Sequence, residues 1–408
     1  MKICHVTDYL PRYHNIWGGA ELAAVNLIDL LQEKGHAQTV LSTKPDNASY
    51  RKYNLYPISV LNDYFGKYAE LLKLWTFDLL SFISVSKALE DIKPDILHLH
   101  NFRVLSFSVV SAAKRLKIPV VFSIYDNWCL CPNHTLITKT GGFCKKYHSL
   151  SCFSCTHSHK KIGTFFRRFL FNIFLKKIDI FIVLSNTMAE VLRDYGIPKE
   201  KVVFLPLPLS KDTWENEKKQ DGEIEPDSVL FCGWVSPHKG LKILVDQMLK
   251  VIKEIPGAKL YVIETGVVKK YKDSILDFIS KNDLEKYVYF LGKKNNDEVQ
   301  KYLRRSELVV VPEQWGIAWP IFLTEAMFAK KPIIASRIGD IPFFIKDGIN
   351  GYTVKANNAE EFGEKIIYCL RNKNLISSFG EQSRKRIAEI CDNKNIHDGL
   401  INIYKKAI

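Results

Sequence analysis

Short apolar runs alternate with amphipathic stretches from the first residues of the chain. "KICHV" has strand length, "GGAE" reads as a turn, and the next segment places Ala24, Leu27, Ile28 and Leu31 at helical spacing before Gly35 ends it. "AQTVLST", a helical region near residues 64–91, "DILHLH", a helix near 105–116, "PVVFSIYD" and "IDIFIVLS" continue the series. These strands are apolar on both faces, as a parallel sheet covered by helices requires.

A break follows at residues 211–227, a charged stretch nearly free of aliphatic side chains that reads as a linker. A second series then begins with "SVLFCGW", "KLYVIETG", "VYFLGK", "LVVVPE" and "KPIIASR", and one intervening helix carries Leu241, Leu244, Val245 and Met248 on a single face. The pattern predicts an α/β protein of two doubly wound parallel-sheet lobes facing a cleft. Ligands of such sheets bind beyond the carboxyl ends of the strands.

Composition supports two cores: 408 residues, of which 47% are apolar and 25% charged. "MKICHVTDYL" enters a strand at once, without a signal-peptide pattern, and the longest apolar tracts are too short to cross a bilayer. The expectation is a cytoplasmic protein. Nine cysteines, with Cys4 and Cys232 on predicted strands, fit a reducing compartment. The formal charge is +14, and residues 127–178 contain nine lysines and arginines and no acid. An anionic surface is expected to face that region.

Three loops can carry chemistry. Gly18 and Gly19 precede the first helix, with Glu21 just inside it, where backbone amides can approach a ligand; a tight turn alone needs the same glycines. Lys239 opens the helix after "LFCGWVSPHKGL", where a cation and free amides can share a diphosphate, or where it is simply solvated. In "VVVPEQWGIAWPIFLTEAMFAKKPIIAS", Pro320 suits a first helical turn and Glu325 falls near the cleft end, where its carboxylate can accept two sugar hydroxyls or face solvent. "KDGINGYTV" reads as a hairpin-like loop ending in a short strand.

With these blocks in order, the chain resembles the GT-B glycosyltransferases of retaining family 4, also called group 1. "GGAE", "DILHLHN", "VLSNTMAEVLRDYGIPKEKVVFLP", "GWVSPHKG", "VYFLG", "EAMFAKKPIIAS" and "DGINGYTV" carry the resemblance. It implies a Rossmann-like acceptor domain over residues 1–210, a donor domain over 228–385, and a C-terminal helix within 386–408 that packs back toward the first domain. Lys239 would then contact the donor diphosphate, Glu325 the ribose, and the Gly18–Gly19 loop the phosphate and sugar region. A UDP-, GDP- or ADP-sugar is the implied donor, with no catalytic metal, because cations and helix amides stabilise the leaving diphosphate.

Three positions depart from that family's pattern. Trp234 stands where arginine is usual, Tyr125 where a histidine precedes Asp126, and Ile317 where the first glutamate of an E-x7-E motif falls. Asp126, Tyr125 and Glu313 are the nearby candidates for catalytic positioning. Trp234 can stack on the donor, pack elsewhere, or mark a site that no longer binds phosphate strongly. A catalytically silent GT-B protein that binds a glycan or partner enzyme is therefore the alternative to a transferase acting on a glycan or lipid-linked acceptor in polysaccharide or glycoconjugate synthesis.

Residues 127–160 form a cysteine-rich insertion. Cys131, Cys144, Cys152 and Cys155 are spaced C-x12-C-x7-C-x2-C, a pattern that suits a structural zinc or a loop of loose thiols, with Cys129, His134, His148 and His157 as competing ligands. The following "KKIGTFFRRFLFNIFLKK" interleaves basic residues with phenylalanines and can lie on an anionic membrane at the inner face of the cell, with part of its aromatic face in the core. No compact nucleic-acid motif accompanies the charge.

Overall fold

Strands too apolar to face water on either side line up in parallel, and helices cover them. The computed structural model describes all residues except 15, 17, 48, 70–76, 135, 137, 139–143, 148, 156–160, 209–222 and 317–318, and the side chains at 67, 161–163 and 165–168. The chain divides into two units, Met1–Leu209 together with Asp392–Ile408, and Ser210–Cys391.

The first unit holds a seven-stranded sheet in the order β3-β2-β1-β4-β5-β6-β7. The strands are β1 (Lys2–Val6), β2 (Ala37–Ser42), β3 (Leu55–Pro57), β4 (Ile96–Leu99), β5 (Val120–Ile124), β6 (Ile180–Val183) and β7 (Val202–Phe204). Its main helices are α1 (Gly19–Glu33), α2 (Leu79–Ile92), α3 (Ser108–Arg115), α4 (Lys161–Lys176) and α5 (Asn186–Asp194). All pairs are parallel, and strand order reverses between β1 and β4, whose Val6 and Leu99 are register partners. Of the predicted helical region near 64–91, residues 70–76 lie outside the described residues; a short helix at Asn62–Phe65 and a 3-10 turn at Gly66–Tyr68 precede them, and α2 begins only at Leu79, its N-terminus capped by Asp78 accepting from the Ser81 amide.

The second unit has a six-stranded sheet, β10-β9-β8-β11-β12-β13. Its strands are β8 (Glu225–Val235), β9 (Lys259–Val267), β10 (Val288–Gly292), β11 (Ser306–Val311), β12 (Ile333–Ser336) and β13 (Tyr352–Val354). Its helices are α6 (Leu241–Glu254), α7 (Lys269–Lys281), α8 (Asn296–Arg305), α9 (Ile321–Phe328), α10 (Ala359–Arg371) and α11 (Lys373–Ile390). Here the order reverses between β8 and β11. β8 begins inside the stretch read as linker, and "KDGINGYTV" ends in the expected short strand, β13, which pairs in parallel with β12 at the edge of the sheet. Pro320 stands just before α9 with extended backbone, one place ahead of the first turn.

The last helix, α12 (Asn393–Ala407), belongs to the first unit. Ile396, Leu400, Ile403 and Tyr404 are buried against Ile3, Leu27, Ile96, Ile180 and Leu205. Spacings of three and four residues put those side chains on one helical face.

Candidate functional site

In each sheet the strand-order reversal is where neighbouring loops diverge and leave room for a ligand. In the second unit the turn after β8 and the loop after β11 flank that point. Gly240 lets them meet: its φ is +70°, and a Cβ there would lie 2.0 Å from the Pro312 carbonyl oxygen. The Gln314 amide also donates to the His238 carbonyl oxygen at 2.8 Å.

This approach brings Lys239 against Glu313, with Nζ 2.5 Å from Oε1. Glu313 accepts a second bond from the Trp315 indole N–H at 2.7 Å, and the Lys239 ammonium lies 5.6 Å from the Trp315 ring centroid. Burial pushes the Glu313 carboxyl above its ordinary range, while Lys239 and Trp315 pull the other way. Glu325, on α9, is half-buried and its carboxyl rises to about 7, through burial opposed by a hydrogen bond from Gln300.

The Trp234 indole lies across Gly266, the register partner on β9, where a Cβ would come within 2.6 Å of the ring. Half of the side chain stays exposed. The missing arginine is thus replaced by an aromatic wall beside His238, whose ring is 6.4 Å away. Ile317 lies outside the described residues.

In the first unit, Gly18 caps α1, and a Cβ on it would come 2.3 Å from the Glu21 carboxylate. Glu21 is buried and accepts from the Asn101 side-chain amide at 2.9 Å. Gly19 is the first helical residue. The positive end of this helix therefore already faces a carboxylate of its own chain. Asp8 ties the same end of the sheet together, accepting from the Val104 and Leu105 amides at 2.8 and 3.0 Å.

Tyr125 and Asp126 follow β5. The turn is anchored by Trp128, which stacks on Phe107 and packs against Phe171 of α4. Asp126 is exposed and accepts from the Trp128 amide at 2.8 Å, with His134 Nδ1 at 3.6 Å. Burial works against its ionisation, but His134, the Trp128 amide and the Arg103 charge prevail and hold the carboxyl below its ordinary range. Tyr125 turns its hydroxyl inward to His100 at 2.8 Å. Sequence alone does not single out Arg103, which sits in an unremarkable loop, or place His134 here and not among the cysteines. The double histidine of "DILHLHN" is the available signal for the inward contact.

Among the cysteines, Cys152 is buried and Cys131, Cys144 and Cys155 half-buried. Asn133 donates to the Cys155 carbonyl oxygen at 2.9 Å, which folds the insertion back on itself. Burial raises the Cys152 thiol, and the Cys144, Cys131 and Cys155 thiols add to the effect. A shared zinc needs sulfurs about 2.3 Å from one ion. Among the described residues only His5, His98 and His100 bring three ligand atoms within 4.8 Å of one another. His148 and His157 lie outside the described residues. On α4, Phe171 and Phe174 are core, while Phe169 and Ile173 are exposed beside Lys176 and Lys177. Among the described residues no helix is long and apolar enough to cross a membrane.

Two parallel-sheet units with these loops define the GT-B glycosyltransferase architecture. The pattern of Glycosyl transferases group 1 matches residues 212–386 and that of Glycosyltransferase Family 4 residues 17–211, and the chain belongs to this family. An uncharacterized glycosyltransferase of Methanocaldococcus jannaschii is 24% identical over 425 aligned positions, covering 100% of this chain and 99% of that protein. The poly(ribitol-phosphate) alpha-N-acetylglucosaminyltransferase of Staphylococcus aureus is 29% identical over 169 residues, 41% of this chain and 33% of that protein. Among solved structures, Anabaena HepE in complex with UDP and glucose superposes with a TM-score of 0.70 at 18% identity, covering 98% of both chains.

Proposed function

We propose that the protein is a retaining hexosyltransferase that moves a sugar from a nucleotide-sugar, held by the second unit, to a glycan or lipid-linked acceptor held by the first. The observation that carries this is the meeting of Lys239, Glu313 and Trp315 beside the β8–β11 reversal, with Glu325 on the following helix. Lys239 would release Glu313 to take the diphosphate, and Glu325 would hold the ribose hydroxyls. Asp126, ionised and exposed beside His134, would orient an acceptor hydroxyl. Tyr125 holds the turn that presents it. The relatives that bind UDP or transfer N-acetylglucosamine support a nucleotide-sugar donor and a polysaccharide product. The exposed stripe of α4 and the acid-free run from 127 to 178 support contact with an anionic membrane at the inner face.

The second reading, a silent GT-B protein, is favoured by one feature: Lys239 is already neutralised by Glu313, and Trp234 supplies no replacement charge. A panel of UDP-, GDP- and ADP-sugars, with binding and turnover measured in the presence of EDTA, separates the two. One donor should bind and be turned over without metal, and Lys239→Ala should weaken its binding by about tenfold to a hundredfold, the range for losing a charged hydrogen bond. No binding of any donor, with Lys239→Ala indistinguishable from the parent, would leave the silent reading.

A further inference from the structure

Three histidines are buried together in the first unit: His5 on β1, His98 on β4, and His100 just beyond it. Their spacing is that of a metal site, yet every ring nitrogen already has a hydrogen-bond partner. His5 Nδ1 faces His100 Nε2 at 3.0 Å, and His5 Nε2 faces Gln38 Oε1 at 2.8 Å. His100 Nδ1 faces the Tyr125 hydroxyl at 2.8 Å. His98 faces the Tyr404 hydroxyl through Nδ1 at 2.6 Å and the Ser123 hydroxyl through Nε2 at 2.8 Å.

The far end of this chain fixes the direction of its protons. Gln38 donates its side-chain N–H to the Ile28 carbonyl oxygen at 3.2 Å, so the amide oxygen is the atom turned to His5, and it can only accept. His5 therefore carries its proton on Nε2. A neutral imidazole has one proton, so His5 Nδ1 accepts and His100 Nε2 donates. His100 Nδ1 is left as an acceptor, and the only proton available to it is that of Tyr125. Burial lowers the pKa of all three rings, in keeping with one proton on each.

We propose that His100 is a positioning residue that accepts a hydrogen bond from the Tyr125 phenol and so directs its O–H into the protein, so that the tyrosine holds the Asp126 turn and has no proton to offer a substrate. In this chain the hydroxyl faces the inward chain of His100, His5 and Gln38. Successive hydrogen bonds in one direction polarise one another, so the chain is stiffer than its separate pairs. The consequence for catalysis rests on the transferase reading; the proton positions do not.

The test uses the full-length protein labelled with 15N-histidine and read by NMR near neutral pH without substrate. His5 and His100 should each appear as the Nε2–H tautomer, and Tyr125→Phe should move the His100 Nδ1 signal while its Nε2 stays protonated. A His100 proton on Nδ1 would overturn the proposal, since the tyrosine would then be free to donate outward. Once a donor and acceptor are known, Tyr125→Phe should keep kcat within about tenfold, whereas loss of a true proton donor costs about 10² to 10⁴. His100→Asn, which retains an acceptor near the Nδ1 position, should preserve more activity than His100→Phe. Equal losses in variants of equal Tm would count against a positioning role. Absence of any transfer activity would leave the tautomer result to decide the proton direction by itself.

Discussion

Glu325 shows how a single side chain couples burial to ligand chemistry. Its carboxyl titrates near 7 because the protein has removed water from it without supplying a cation. A carboxylate that accepts two ribose hydroxyls must be ionised, so donor affinity should fall about tenfold per pH unit below 7, and Glu325→Gln should flatten that profile. Calorimetric titration between pH 5.5 and 8.5 checks this. The sign for stability is opposite. The unfolded chain releases this proton near 4.5 and the folded chain only near 7, so the protein without ligand loses stability as pH rises through that window. Glu325→Gln should therefore raise Tm at pH 8 more than at pH 5. The sequence placed Glu325 inside the helix that follows Pro320, as found, but not its protonation, because burial depends on side chains brought in from other elements, such as Gln300.

At the scale of elements, the turn from β8 to α6 depends on one glycine. Gly240 and Gly348 have nearly the same backbone, with φ of +70° and +73°, but a Cβ on Gly348 would meet nothing within 4 Å, whereas one on Gly240 would meet the Pro312 carbonyl oxygen. Gly348→Ala should cost about 1 kcal/mol, the backbone penalty alone. Gly240→Ala must also displace the β11 loop, and should cost about 2 kcal/mol or more and weaken the Lys239–Glu313 contact. Urea unfolding of the two variants separates the contributions. The strands and helices that frame this turn were legible from period and run length, since both are local. The partner of Lys239 was not, because Glu313 is far from it in the chain, and only sheet order brings them together. Trp234 was legible as an anomaly, and its resting place on Gly266 became clear only with β8 and β9 in register.

For the whole molecule, charge and exposed apolar surface point the same way. Phe169 and Ile173 are four residues apart on the outer face of α4, at the end of which lie Lys176 and Lys177. The full-length protein should float with vesicles containing anionic phosphatidylglycerol, less so with neutral ones, and progressively less as salt is raised. Phe169→Ser with Ile173→Ser should reduce flotation several-fold with Tm and donor binding unchanged. Retention of the parent's flotation would remove this face as the contact.

The ion pair between Lys239 and Glu313 also sets a threshold for whatever enters the turn. A ligand must outbid a carboxylate that is already in place, desolvated and bonded on its other oxygen by Trp315. A monoanion offers Lys239 no more charge than it already has. A diphosphate does, so on the proposed donor role of Lys239 the pair would discriminate against small anions and in favour of the more highly charged group.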